Sequence, residues 1–309
     1  MLEIKNLVKN YGKFKAVNNL NLKIDTGAIF GFVGPNGAGK TTTMKIMAGL
    51  MKADSGNVFI NDVDIIANPA KLKDKIGYVP DFFGVYDNLK VSEYMDFYAG
   101  TYYIPYSERK EIIDNLLELV NLTEKKESYV DLLSRGMKQR LCLARSLIHS
   151  PEILILDEPA SGLDPRARVE MKEILKQLKD MGKTIIISSH ILPELAEMCT
   201  SIGIIERGQM VVSGTVNEIL QKITHNKVIY VKALDKMSEL VRVLSERPEV
   251  QSIQEATDTV EFGFNGENEA LSRLLTEIIK NEIPIVCFKE KEGNLEEIFM
   301  QVTDGGMQK

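Results

Sequence analysis

Apolar and polar residues alternate over positions 2–7 and again over 16–24, with Tyr11-Gly12 between the two stretches. A period of two predicts an antiparallel hairpin, expected beside the strand that follows. That strand is the apolar run 28–33. A glycine-rich stretch, 34–42, comes next, and 43–50 continues as a helix. Ser55-Gly56 marks a turn before a strand over 57–62, and 76–79 reads as a short strand closed by Pro80. From 82 to about 150 the period becomes helical, as in a helical insertion within an α/β domain. Aromatic residues recur at helical spacing over 91–98 and are expected in the core. Ile113, Leu116, Leu117 and Val120 make an i, i+3, i+4, i+7 face, with Ser107 as its N-cap. Strand patterns return at 152–157 and 184–188 as continuous apolar runs, the signature of parallel strands covered on both faces. A helix over 165–181 joins them, with Asp164 as cap, Pro165 at its first position and Gly182 after its end. From about Thr224 a second unit begins, with strands at 228–231, 250–256, 259–264 and 283–288 and helices at 236–245, 267–280 and 295–302. Its βαββαβ order is ferredoxin-like. No internal repeat or low-complexity segment interrupts the chain.

Composition narrows the function classes. The chain has 309 residues, 44% of them hydrophobic, which leaves room for more than one globular domain. A net charge of -6 argues against a nucleic-acid binder, although a net figure does not exclude local basic patches. Cys142, Cys199 and Cys287 are widely spaced and odd in number, which predicts reduced thiols in an intracellular protein. The N-terminus reads as a strand rather than a signal peptide, and the apolar runs are too short to span a bilayer. A membrane role would therefore come through a partner.

The chemistry begins at Gly34-Pro35-Asn36-Gly37-Ala38-Gly39-Lys40-Thr41-Thr42, which fits G-x-x-x-x-G-K-[ST] between a strand and a helix. Glycines let the backbone curl around an anion with its N–H groups inward, and the helix N-terminus adds partial positive charge. Lys40 would reach the β- and γ-phosphates and the Thr41 hydroxyl would ligate Mg²⁺. Kinases, GTPases and ATPases all use such a loop. Asp157, at the carboxyl end of an apolar strand, can hold Mg²⁺, and the adjacent Glu158 can polarise an attacking water.

With these residues in place, the first 220 or so positions resemble the ATP-binding cassette (ABC) ATPases. Leu133-Ser134-Arg135-Gly136-Met137 resembles the LSGGQ signature, and Ser161-Gly162-Leu163-Asp164 the dimer-contacting loop after the acidic strand. His190 is similar to the switch histidine and Tyr11 to the aromatic that stacks on adenine, although Tyr11 could equally be a packed hairpin residue. The resemblance implies an α/β P-loop NTPase cassette with a helical subdomain over about 82–150. Domain limits of 1–223 and 224–309 are expected, the second being the small α+β unit. It also implies that Ser134, Arg135 and Gly136 face the γ-phosphate of ATP held by a second subunit. Two departures stand out. Asp81 occupies the place of a glutamine that senses Mg²⁺ and couples to the membrane partner, and Arg135 and Met137 replace glycine and glutamine.

The resemblance implies an ATP-hydrolysing subunit using ATP and Mg²⁺. It would form a homodimer or a heterodimer with another ABC ATPase, and sit peripherally on the inner face of the cell membrane against separate transmembrane permease subunits. The ending 294–303, Asn-Leu-Glu followed by Phe299 and Thr303, resembles that of exporter-type subunits. An importer whose C-terminal domain senses solute, a soluble cassette acting on ribosomes or DNA, and a silent nucleotide switch are the alternatives. A single cassette with no long coiled-coil insertion weighs against the ribosomal class, and Lys40, Asp157, Glu158 and His190 together weigh against the silent one.

Overall fold

The computed structural model describes every residue except 73, 83, 85, 87, 224–226 and 292–309. The exporter-like ending 294–303, the expected helix 295–302 and His225 lie outside the described residues. The chain divides into two compact units, Met1–Val216 and Asn217–Lys309.

In the first unit, β1 (Leu2–Tyr11) and β2 (Phe14–Ile24) form the expected antiparallel hairpin. Next come β3 (Ile29–Val33), α1 (Lys40–Met47), β4 (Ser55–Ile60), β5 (Val63–Asp64) and β6 (Ile76–Val79). The hairpin does not pair with β3. It joins β4 and β5 in a separate sheet of order β2-β1-β4-β5, while every residue of β3 is buried in a second sheet. Alternation along β1 and β2 gives them one apolar face. Leu2, Ile4, Leu7, Val17, Leu20 and Leu22 from that face pack into one core with Phe30, Phe32, Met44 and Met47. Helix α1 is thus held by both sheets.

Helices α2 (Val91–Thr101), α3 (Tyr106–Leu119) and α4 (Arg135–Leu147) follow. Ser107 does not cap α3. Pro105 occupies the N-cap, where its missing N–H costs nothing, and the helix starts at Tyr106. The aromatic face of α2 is only partly core, because Tyr94 is buried while Phe97 is 47% exposed. Arg140 fastens α4, donating from Nη1 to the carbonyls of Val120 and Asn121 at 2.8 and 3.2 Å and pairing through Nη2 with Glu170.

Then β7 (Ile153–Leu156), α5 (Pro165–Asp180) and β8 (Thr184–Ser189) form a parallel βαβ unit. The Asp164 carboxylate caps α5, accepting from the Ala167 N–H at 2.9 Å. Helix α6 (Leu192–Met198) and strands β9 (Ser201–Glu206) and β10 (Gln209–Thr215) complete the unit, in a stretch for which the sequence pattern yielded no elements. The second sheet runs β10-β9-β3-β8-β7-β6, parallel except at β10. Its register sets Val33 beside Ser189 and Leu156 beside Ile187, so the carboxyl ends of β3, β7 and β8 meet at one edge. That edge is where α/β sheets bind ligands.

Helix α7 (Val216–Ile223) leads into the second unit, built from β11 (Lys227–Ala233), α8 (Met237–Ser245), β12 (Val250–Glu255), β13 (Thr259–Phe264), α9 (Asn268–Lys280) and β14 (Ile285–Lys291). All its ladders are antiparallel and the order is β12-β13-β11-β14, a ferredoxin-like sheet. Strand β13 alternates between partly exposed and buried residues, and Val260, Phe262 and Phe264 pack under Leu240, Leu244, Leu274 and Ile278. β14 begins two residues after Ile283, beyond Pro284, which has no N–H to give a ladder.

Leu154, fully buried on β7 between β6 and β8, tests this arrangement. Leu154→Ala is expected to cost about 2–5 kcal/mol, read as a lower urea midpoint of the first unit's transition with unchanged slope.

Candidate functional site

The phosphate loop is shaped by close backbone approaches that only glycine tolerates. A Cβ on Gly34 would fall 2.4 Å from the Ile205 carbonyl oxygen, and one on Gly39 2.4 Å from that of Ala16. Gly39 also lies at φ +105, in the left-handed region open to glycine. The neighbouring β9–β10 turn braces the loop, with the Gly208 N–H donating to the Ala38 carbonyl at 2.9 Å. The loop is therefore set by its packing against β2 and β9.

Lys40 and Thr41 open α1 and point into the same space. Lys40 is buried, with 6% of its surface exposed, and its ammonium donates to the Gly34 carbonyl at 2.6 Å. It also stands 3.7 Å from the Glu158 carboxylate. Burial holds its pKa below the ordinary lysine value, and the charges of Glu158 and Asp157 oppose that shift.

Asp157, only 1% exposed, follows β7. Its Oδ1 accepts from the Thr41 hydroxyl at 3.2 Å and from the Ser188 hydroxyl at 2.6 Å. The same Ser188 oxygen accepts the Glu158 N–H at 2.9 Å, so it fixes both acidic residues. Glu158 has φ 51, a left-handed conformation uncommon for a side-chain residue, which turns its carboxylate toward Lys40 and His190. His190 Nδ1 lies 3.1 Å from Glu158 Oε2. Sequence reasoning missed Ser188. Its only signal was a hydroxyl at the end of an apolar strand, where an unpaired polar group would be costly.

A cavity of about 350 Å³ opens before the loop, and its walls include Tyr11, Phe14, Asp81, Glu158, Ser161 and His190. Pro35, Asn36, Gly37, Ala38, Lys40, Thr41 and Thr42 form its floor. Tyr11 is 48% exposed at the rim, with its hydroxyl on Met51 Sδ, so it is not a packed core aromatic. Ser134, Arg135 and Gly136 take no part in these walls. Ser134 caps α4 instead, accepting the Met137 N–H at 3.3 Å.

Thr41 and Asp81 offer hard oxygen donors at the cavity, and Asp157 stands directly behind Thr41. Among the described residues no group of three or more His, Cys, Asp or Glu side chains is placed to hold a metal by itself. Mg²⁺ is commonly held by one or two carboxylates together with substrate phosphates, so this donor set fits it. The three cysteines are unpaired, and burial pushes the Cys142 thiol up to about 11, which suits a packed and inert residue.

Comparison with known proteins agrees with this geometry. Residues 17–161 match the ABC transporter family, and residues 214–303 match the C-terminal domain of DrrA1-3-like ATP-binding proteins. The linearmycin resistance ATP-binding protein LnrL of Bacillus subtilis (strain 168) is 33% identical over 306 residues, covering 98% of each chain. The bacitracin transport ATP-binding protein BcrA of Bacillus licheniformis is 33% identical over 99% of this chain and 98% of its own. Among solved structures, an ATP-binding subunit of an ABC transporter superposes with a TM-score of 0.65 at 29% identity, covering 72% of this chain and 93% of that one. A dimeric post-hydrolysis ATP-binding cassette bound to ADP and Pi gives 0.63 at 26% identity, over 70% and 99%. No described helix is long and apolar enough to cross a membrane. The loop, the acidic strand and likeness along nearly the whole length lead to one family: the chain is an ATP-binding, ATP-hydrolysing subunit of the ABC transporters.

Proposed function

We propose that this chain is the motor of an export system, a head-to-tail dimer that closes around two ATP molecules and drives separate transmembrane subunits. The division of the site carries the reading. Lys40, Thr41, Glu158 and His190 line one cavity, with Asp157 bonded to Thr41 behind it, whereas Ser134 and Gly136 open a helix that forms no part of its wall. The N-terminus of α4 offers backbone N–H groups and partial positive charge, a seat for the γ-phosphate of a second copy's ATP. Export is favoured by the relatives that span nearly the whole chain, which are named for bacitracin transport, linearmycin resistance and Nod factor export.

In this reading Tyr11 stacks on adenine and the loop from Gly34 to Thr42 wraps the phosphates. Entry of a triphosphate draws the Lys40 ammonium away from Gly34 and Glu158 to the phosphate oxygens, which releases Glu158 to act on water. Glu158 accepts a proton from the attacking water, and His190, held 3.1 Å from it, orients that water and the γ-phosphate. Thr41, Asp157 and Asp81 would hold Mg²⁺, which when bound neutralises charge developing on the phosphates. The Ser161–Asp164 loop meets the partner subunit.

The surface around α2 is where the membrane subunits dock. Phe82, Tyr86, Phe97 and Tyr103 are exposed aromatics there. A cavity of about 790 Å³ beside them is lined by Leu50, Tyr78, Tyr98, Tyr102 and Arg145. Apolar exposure of this kind marks an interaction site, and a short helix from the membrane subunit suits such a groove. The finer placement on the inner face of the membrane follows from this docking.

Three outcomes test the reading. Glu158→Gln should lower phosphate release by at least about 100-fold while ATP drives the variant into a dimer on size exclusion, and a monomer at saturating ATP and Mg²⁺ contradicts it. Ser188→Ala leaves the Glu158 N–H without its acceptor and should reduce kcat about 10-fold, in line with a loss of about 1–3 kcal/mol. Tyr102→Glu should abolish copurification with the membrane subunit in mild detergent, while binding of a fluorescent ATP analogue stays within about twofold.

A further inference from the structure

Arg135 departs from the glycine usual at its place in the signature, and its surroundings give it a defined seat. Gly162 lies at φ +66, and a Cβ built there would fall 2.6 Å from both Cζ and Nη1 of Arg135 and 2.9 Å from Nη2. Three nearly equal distances mean that the flat face of the guanidinium rests on Gly162, in the space any side chain at that position would fill. One residue later the same fit recurs, because a Cβ on Gly136 would meet Ala167 Cβ at 2.9 Å. The start of α4 is thus seated on the loop 161–164 and on the first turn of α5 through two glycines.

This loop is fixed at both ends. The Ser161 N–H donates to the Glu158 carbonyl at 3.0 Å, and Asp164 caps α5 through the Ala167 N–H at 2.9 Å. Arg135 holds its middle. The residue is not there for helix stability, since a cation in the first turn opposes the helix dipole, and no described carboxylate pairs with it. Glu158 lies four residues before Gly162 and keeps a left-handed φ of 51, so its direction depends on the turn that follows it.

We propose that Arg135 is a positioning residue that clamps the loop 161–164 to the start of α4, so that the signature and the hydrolytic carboxylate of one chain move together. The proposal rests on the head-to-tail dimer. There the signature of a chain answers to its partner's ATP, while Glu158 serves the chain's own. The pull of one nucleotide on α4 passes through Arg135 and Gly162 to Ser161 and Glu158, and binding at one site sets the carboxylate at the other.

The test compares Arg135→Ala, Arg135→Lys, Gly162→Ala and the Arg135→Ala/Gly162→Ala double variant in the full chain, by phosphate release across ATP concentrations. Arg135→Ala should lower kcat about 10-fold and leave KM within about twofold, since the guanidinium seated on Gly162 is engaged within its own chain rather than with the partner's nucleotide. Arg135→Lys keeps charge and reach but has no flat face, so it should not restore kcat. Gly162→Ala both displaces the guanidinium and strains the backbone at φ +66, so in the Arg135→Ala background its effect should shrink but persist, a non-additive cycle. Equal effects of Gly162→Ala in both backgrounds, full activity of Arg135→Lys or Arg135→Ala, or a loss in KM rather than kcat would overturn the clamp. If wild-type chain released no phosphate, or Glu158→Gln failed to dimerise, the head-to-tail motor itself would fall. An additive cycle in an active, dimerising protein removes only the clamp.

Discussion

A single buried carboxylate holds the catalytic edge together. Asp157 accepts hydrogen bonds from the hydroxyls of Thr41 at the start of α1 and Ser188 at the end of β8, and so joins the phosphate loop, the acidic strand and the histidine strand. In a low-dielectric interior an unpaired carboxylate would be strongly disfavoured, and two hydroxyl donors on one oxygen meet part of that demand. Ser188 then passes the constraint on by accepting the Glu158 N–H, which fixes the backbone of Glu158, the proposed general base, in its left-handed turn. The geometry of Lys40, Glu158 and His190 follows from that turn.

The same economy of space recurs on the other side of Glu158. Glycines at 34 and 39 let the phosphate loop approach Ile205 and Ala16, and glycines at 136 and 162 let the signature helix approach α5 and the loop before it. Each closes a gap that a methyl group would hold open. Loop and signature are therefore built by one device, applied once toward β2 and β9 and once toward the neighbouring helix. Close packing of this kind transmits small displacements instead of absorbing them.

Much of this was legible in the sequence because the residues of the phosphate loop are contiguous and its strand–loop–helix setting is local. Asp157 and Glu158 were readable for the same reason, at the end of an apolar run. Ser188 was not, since a hydroxyl inside an apolar strand gains meaning only when the register brings it to Asp157. Alternation in β1 and β2 revealed two strands with one buried face but not their partner, and the hairpin pairs with β4 rather than β3. Phe97 misled because helical spacing places a residue on a face without saying what covers that face. Between 192 and 215, α6 escaped because it has only 7 residues and β10 because none of its residues is buried, although β9 is a buried apolar run. Arg135 carried a signal, a departure from the signature, whose meaning depended on the empty side-chain position at Gly162.

The central claim is that one chain holds only half of each working site. Lys40→Ala and Ser134→Phe each damage both sites of a homodimer. In a mixed dimer the two lesions fall on the same site and leave the other intact. Mixing equal amounts of the two inactive proteins should therefore raise phosphate release clearly above either component, to at most about a quarter of the wild-type rate. About half the dimers are mixed, each has one good site of two, and the damaged site withholds its pull on the intact one. A mixture no more active than its separate components would mean that Ser134 and Lys40 do not meet across a dimer, and would contradict the account.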